Sequence, residues 1–356
     1  MADIIITKDD LKDPAIDDVV NLQRSLQPQG GERIEDIKTP FYYNPIFYYS
    51  VASSIGALLV WAVSEHYMHD EDKPSQIPFF SDYMLFGPIA AVMGLSIGLV
   101  YGFVNRNIVM ALYCGAIGVG VGLGASVLTV FIAEKVFLVA GIAAAIVATS
   151  GGRQLGPNEG LHGMAFFIFM CGRGLAWSIV SMSSGIGLGI ALKSKRLALN
   201  GFVGSMIGGL IGGLLFDPLH RFVTPDASVA WMSRAVGTLF VGFSVGLLIG
   251  VFENASKEAW FLMLKGPLAG KQFIIFKSPM KIGSSPKSEV YLFKDSNIAP
   301  LHASVTKSGS KYLLSDEKSD AGTFVNGRKV DKYILQPGDT ITIGEAVLRY
   351  SEKSKG

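Results

Sequence analysis

From Ile108 to Ala133 the chain runs 26 residues without a single charge. An α-helix needs about 20 mostly apolar residues to cross the hydrocarbon of a bilayer. Few other folds can absorb such a stretch, and this one has company. Residues 45–63, 83–104, 197–216 and 235–252 are also uncharged, and 161–192 carries only His162 and Arg173. A shorter run, 136–150, follows Glu134 and Lys135, which read as the end of a span. Charged residues make up 17% of the chain, against about 25% in soluble domains. The fold class expected is an α-helical polytopic membrane domain over 45–252, with about six to eight crossings, joined to separate soluble material.

The basic turn Lys193-Ser194-Lys195-Arg196 predicts a cytoplasmic side, while the acidic loop 64–82 suits the opposite face. So does 217–233, with Asp217, Pro218 and Pro225. Both termini then lie in the cytoplasm of a multi-pass protein of the cell (inner) membrane, which requires an even number of crossings. The opening segment 1–44 holds nine acidic and five basic side chains and reads as an acidic cytoplasmic extension with no cleavable signal peptide. Two weak internal repeats are visible: 172–196 resembles 233–257, and 88–124 resembles 174–213.

GVGVGLGA, Gly118 to Ala125, contains a variant of the dinucleotide-binding pattern, but no alternating strand precedes it and no acidic partner follows at the needed distance. Its glycines are spaced for helix contact instead. Gly118 and Gly122 are four apart, as are Gly120 and Gly124. Gly204, Gly208 and Gly212, and again Gly209 and Gly213, repeat the spacing. Such stripes let backbones approach closely in lipid. GLGIALKS, 187–194, lacks the glycine that a phosphate-binding loop has before its lysine. His66 and His69 lie in a polar loop and read as solvated side chains. Cys114 and Cys171 read as small buried hydrophobes. No catalytic constellation, metal site, cofactor site or nucleic-acid surface is expected, and the chain is read as a non-enzyme.

After Glu253 the texture changes to short alternating runs separated by Gly266-Pro267, Ser308-Gly309, Asn326-Gly327 and Pro337-Gly338. That pattern predicts an all-β sandwich over 260–356, tied to the last helix by a linker of residues 253–259. Fifteen basic and nine acidic residues make this part net basic. Gly283, a histidine at 302 and GTFVNG at 322–327 resemble the motif set of a forkhead-associated (FHA) domain over about 266–351. The helical part resembles, much less specifically, Gly-rich bacterial membrane domains fused to such modules.

The resemblance implies an eleven-stranded sandwich that binds phosphothreonine peptides through loops at one end. Position by position the match is uneven. Ser284 stands where the family has arginine, followed by Ser285. Ala299 replaces a serine, and Pro300 follows it. Ala321 replaces an asparagine, and Asp320 precedes it. Gly283, His302, Gly322, Thr323 and Asn326 are retained, and in the family they are mostly structural. Charge-assisted donors hold phosphate, and most are missing here. Two expectations follow. The favoured one is docking of a protein partner without the standard phosphothreonine contacts. The other is phosphothreonine binding with Ser284, Ser285 or Lys287 as substitute donors. Expected partners are the lipid bilayer and an acidic or phosphorylated protein, with a homo-oligomer or a subunit of a larger membrane complex as open forms. The favoured function is a membrane-anchored scaffold or adaptor for signalling. The alternatives are a channel or transporter regulated through the sandwich, and an accessory subunit. Thr7 and Thr39 are candidate ligand threonines within the chain.

Overall fold

A computed structural model describes residues 38–65, 78–150, 152, 161–223 and 230–353. After a single turn at Phe41–Tyr43, six helices follow: α1 (Pro45–Glu65), α2 (Pro78–Val104), α3 (Ile108–Ala148), α4 (Gly163–Ala191), α5 (Lys195–Val223) and α6 (Ala230–Ser256). All six are long and apolar enough to cross a membrane. Each packs on its sequence neighbours, and α6 packs back on α1, so the six close a ring. A further contact between α2 and α4 crosses the middle of that ring.

Several boundaries differ from the sequence expectation. The run 136–150 does not form a separate span; most of it extends α3, and the run 161–192 gives the single helix α4. Helix α3 has 41 residues, about 61 Å at 1.5 Å per residue, roughly twice a hydrocarbon core. Glu134 and Lys135 do not end it, because their charges are accommodated in place. Glu134 lines a small cavity with Arg173 and Trp177, and Lys135 lies over the Phe131 ring at 5.3 Å. Asp217 and Pro218 lie inside α5 rather than in a loop. The Asp217 carboxylate accepts from Arg173 Nε at 3.1 Å, and that guanidinium is stacked among Phe137, Phe169 and Phe216 at 5.0 to 5.1 Å. Ser194 to Asp217 spans about 34 Å of helix, so this ion pair sits one bilayer thickness from the α4–α5 turn.

The glycine stripes divide by face. A Cβ on Gly122 would lie 2.6 Å from Ala91 Cα of α2, and one on Gly94 would lie 2.7 Å from the Gly118 carbonyl. Gly187 of α4 approaches the other side of Gly118, whose Cα would be 2.8 Å from its Cβ. On α5, Gly204, Gly208 and Gly212 meet α6 at Ile249, Ser244 and Val241, while Gly209 and Gly213 meet Ser181 and Trp177 of α4. Gly120 and Gly124 differ: nothing lies within 4 Å of a Cβ at either. Two residues along a helix is about 200° of rotation. Gly120 and Gly124 therefore face away from α2, and of the two stripes only that of Gly118 and Gly122 makes a helix contact here.

Two hairpin turns are built alike. Arg106 and Lys193 adopt left-handed backbone, with φ of 49° and 52°. The next N–H groups, of Asn107 and Ser194, donate back to Gly102 and Gly189 at 2.9 Å each. This is the six-to-one bond that ends a helix at a left-handed residue. Asn107 and Ser194 then cap the following helices, accepting from Met110 N–H at 3.0 Å and Leu197 N–H at 3.2 Å. The spacing is 87 residues throughout. The weak resemblance of 88–124 to 174–213 thus corresponds to two equivalent helical hairpins.

The linker is shorter than expected. Helix α6 continues through Ser256 and the first strand opens at Ala259, leaving only Lys257 and Glu258 between. Polar Glu253 and Asn254 suggested an ending, but both line the junction with the sandwich. The eleven strands are β1 (Ala259–Lys265), β2 (Gln272–Ile274), β3 (Met280–Gly283), β4 (Val290–Tyr291), β5 (Ala303–Ser308), β6 (Lys311–Asp316), β7 (Thr323–Val325), β8 (Arg328–Val330), β9 (Lys332–Ile334), β10 (Thr340–Ile343) and β11 (Ala346–Glu352). They form two sheets, ordered β2-β1-β11-β10-β7-β8 and β4-β3-β5-β6-β9. Alternate residues of each strand point inward. Phe261, Met263, Ile282, Val305, Leu314, Ile341, Leu348 and Tyr350 form a fully buried core between the sheets.

Candidate functional site

Three loops meet at one end of the sandwich: β3–β4, β4–β5 and β6–β7. The first is anchored by Gly283. A Cβ there would collide with the Pro300 carbonyl and stand 2.9 Å from the Ala299 carbonyl, so only glycine lets the two loops touch. Ser284 N–H donates to the Ala299 carbonyl at 3.0 Å, and Ser285 N–H to the Pro300 carbonyl at 3.1 Å. The Ser284 hydroxyl donates to the Ile298 carbonyl at 2.7 Å, and the Ser288 hydroxyl to Pro300 at 3.3 Å. The backbone donors of Ser284 and Ser285 and the hydroxyls of Ser284 and Ser288 are therefore spent on the neighbouring loop, while the Ser285 hydroxyl accepts from Lys287 N–H at 3.3 Å.

His302 braces the other two loops. It is fully buried. Its Nδ1 accepts from Ala299 N–H at 3.2 Å, and its Nε2 lies 3.2 Å from the Gly322 carbonyl. A donor on one side and an acceptor on the other select the neutral tautomer with the proton on Nε2.

The β6–β7 loop folds around Asp316. Its Oδ1 accepts from the Ser319 and Thr323 hydroxyls, both at 2.7 Å, and its Oδ2 from Ser319 N–H at 3.0 Å. Ser319 Oγ in turn accepts from Gly322 N–H at 3.1 Å. Burial alone pushes the Asp316 carboxyl up, but the bonds from Ser319 and Thr323 outweigh it and hold its pKa below the usual value. A depressed carboxyl stabilises the fold above its unfolded value, about pH 4, and loses that contribution as pH falls through the folded value. The protection factors of 317–322 in the whole protein should therefore fall on acidification below about pH 4, and Asp316→Asn should remove that pH dependence. An unchanged profile in the variant would refute the role.

Thr323 is buried with its hydroxyl on Asp316, so it belongs to the loop's interior. Asp320 is exposed at the loop tip. Gly322 has φ of 77°, and the Lys329 side chain crosses it so closely that a Cβ would meet Lys329 Cε at 2.5 Å. The sequence did not single out Lys329. Asn326 is not gathered with these residues. It starts the Asn-Gly turn between β7 and β8, with φ of 50°, and donates from Nδ2 to Asp339 Oδ1 at 2.7 Å while accepting from Thr340 N–H at 2.9 Å. It braces the turn before β10, a structural role.

The β3–β4 loop also touches the helices. Asn107 Nδ2 donates to the Pro286 carbonyl at 2.7 Å. Ser194 Oγ donates to the Phe276 carbonyl at 3.0 Å. Lys271 Nζ donates to Asn105 Oδ1 at 2.6 Å, and Arg196 lies 3.5 Å from Glu258. Thr39 accepts from Gln272 Nε2 at 3.0 Å, which places it at β2 and not at the three loops. Thr7, His66, His69 and Pro225 lie outside the described residues. Asn105 and Asn107, a polar pair between two apolar runs, were the available signal for this junction.

The FHA domain model matches residues 280–344. The glycogen accumulation regulator GarA of Mycolicibacterium smegmatis is 31% identical over 100 residues, 28% of this chain and 63% of that protein. The chain thus spans just under two thirds of that relative. The oxoglutarate dehydrogenase inhibitor of Corynebacterium jeikeium is 31% identical over 106 residues, 30% of this chain and 73% of that protein. Among solved structures, an FHA domain from Chlamydia trachomatis is similar at 21% identity and a TM-score of 0.26, covering 28% of this chain and 100% of that one. One from Arabidopsis thaliana gives 22% identity and 0.26, covering 28% and 89%.

Proposed function

The chain belongs to the FHA domain family through its C-terminal sandwich, and from that premise we propose that it is a non-catalytic, membrane-anchored adaptor that docks a protein partner without the standard phosphothreonine contacts. In this reading 45–252 is the membrane domain and 260–356 the docking module, with helix ends and the linker at the bounds given above. The basic turn 193–196 lies on the sandwich side, which supports a cytoplasmic sandwich. Six crossings then return the N-terminal segment to the same side. The α2–α4 contact across the ring favours a scaffold over a conduit. Relatives named as a regulator and as an inhibitor fit a role exerted through binding.

The observation that carries the phosphate-independent part is the direction of the loop donors. Ser284 N–H, Ser285 N–H and the Ser284 hydroxyl all donate to backbone carbonyls of 298–300. Ala321 offers no side-chain donor, and Asp320 adds a negative charge that repels phosphate. The test uses the full chain in nanodiscs and two degenerate peptide libraries, one with threonine and one with phosphothreonine at the fixed position. Phosphorylation is expected to change binding by less than about twofold. A preference of about tenfold or more for the phosphorylated library would overturn the proposal.

A further inference from the structure

Between the sandwich and the adjacent helix ends lies a cavity of about 260 Å³, walled in part by Tyr43, Tyr48, Tyr101 and Phe273. Four charged side chains line it: Glu253, Lys257, Lys271 and Glu289. Two of them are already matched. Glu289 pairs with Lys277 at 2.5 Å and accepts from Lys281 N–H at 2.8 Å. Lys257 donates to Gln272 at 3.2 Å and lies over the Trp260 ring at 4.6 Å.

Lys271 and Glu253 are left. Each is only 6% exposed. Lys271 spends one of its three donors on Asn105 and lies 5.2 Å from the Phe273 ring and 5.9 Å from that of Tyr43. Asn105 in turn donates from its amide to the Tyr101 carbonyl at 2.6 Å. Among the described residues no ion pair joins Lys271 to Glu253, or either of them to another charge. They still feel each other. Burial drives the Lys271 ammonium pKa well down, and the Glu253 carboxylate partly opposes that. A buried amine and a buried carboxyl, one from each domain and with no ion pair between them, are costly to leave unmatched. A gap of this size holds a molecule of several heavy atoms.

We propose that this cavity binds a small zwitterion, with a phosphate or carboxylate held by Lys271 and a primary ammonium held by Glu253 and the tyrosine faces. The ammonium end suits the aromatic wall through cation–π attraction. The anionic end restores charge balance to Lys271. The site lies where helices α1, α2 and α6 end against the sandwich, so the zwitterion has two sources: a free metabolite, or the headgroup of an ethanolamine phospholipid. The proposal is independent of what the recognition loops bind.

The test measures thermal unfolding of the full chain, delipidated in detergent, with O-phosphoethanolamine, glycine or β-alanine. At least one is expected to raise Tm by about 3 °C or more. Inorganic phosphate alone and ethanolamine alone should not. The shift should be lost in Lys271→Met and in Glu253→Gln. A second arm compares nanodiscs of phosphatidylcholine with and without phosphatidylethanolamine. A shift from the lipid, with none from the soluble compounds, supports the site and assigns the headgroup as the source. A shift from the soluble compounds alone supports it and assigns the metabolite. No shift in either arm overturns the proposal. So does a full shift from phosphate alone or ethanolamine alone, a result that stands even where the variants fail to fold.

Discussion

Gly118→Ile is expected to prevent assembly of the helical domain, while Gly120→Ile is expected to be silent. The two positions are two residues apart in the same uncharged helix, so hydropathy does not distinguish them. Their surroundings do. A Cβ on Gly118 would collide with the Gly94 carbonyl, and a Cβ on Gly187 would stand 2.8 Å from the Gly118 Cα on the other side. Three backbones converge there with no side chain between them. An isoleucine must push α3 away from both α2 and α4. Overpacking a tight core costs about 1–3 kcal/mol, and a backbone-on-backbone site, which has no side chain to yield, lies at or above the upper end. Gly120 has nothing within 4 Å, and glycine-to-isoleucine there gains helix propensity. Size-exclusion chromatography in mild detergent, followed by a thermal ramp, reads both variants. A monodisperse Gly118→Ile protein with unchanged Tm would refute the packing described.

His302→Ala is expected to loosen the recognition end without unfolding the sandwich core. The histidine is fully buried and satisfies two backbone groups, Ala299 N–H and the Gly322 carbonyl. Alanine leaves both unpaired in a space that excludes solvent. Each unsatisfied group costs about 1–3 kcal/mol, so the loops lose on the order of 3 kcal/mol of local stability. Hydrogen exchange over 299–302 and 317–322 should rise by about two orders of magnitude. The β1–β11 pairing, remote from the loops, should keep its protection. Equal loss of protection in β1 would show that His302 supports the whole core rather than the loops.

The two domains were legible to different degrees, for physical reasons. Uncharged runs and short alternating strands announced an all-helical part and an all-β part, because burial in lipid and burial between sheets impose different periods. The glycine spacing was legible only as a stripe. It did not say which stripe faced inward, since Gly118 and Gly120 look alike without a neighbour. Charges misled where they were locally satisfied. Glu134, Lys135 and Asp217 each suggested a helix end, yet each finds its partners without leaving the helix. In the sandwich the motif positions identified the three loops, and the substitutions at 284, 299 and 321 were visible at once. Asn326 kept its motif identity, but only the fold showed that it braces the turn before β10. The cavity at the junction was not legible at all, because Lys271, Glu253 and Asn105 come from three distant stretches that only the tertiary fold brings together.

The two equivalent turns carry a mechanical consequence. Asn107 uses one end of its amide to cap α3 and the other to hold the Pro286 carbonyl. Ser194 uses a single hydroxyl oxygen to cap α5 while donating to the Phe276 carbonyl. A two-residue leash and these two rivets are thus among the ties that hold the sandwich, and each rivet is also the first fastening of a helix. Torque applied to the sandwich by a docked partner cannot dissipate in a flexible tether. It arrives at two points on the helical ring, half of the pseudo-repeat apiece, where tilting the sandwich and fraying a helix become the same movement.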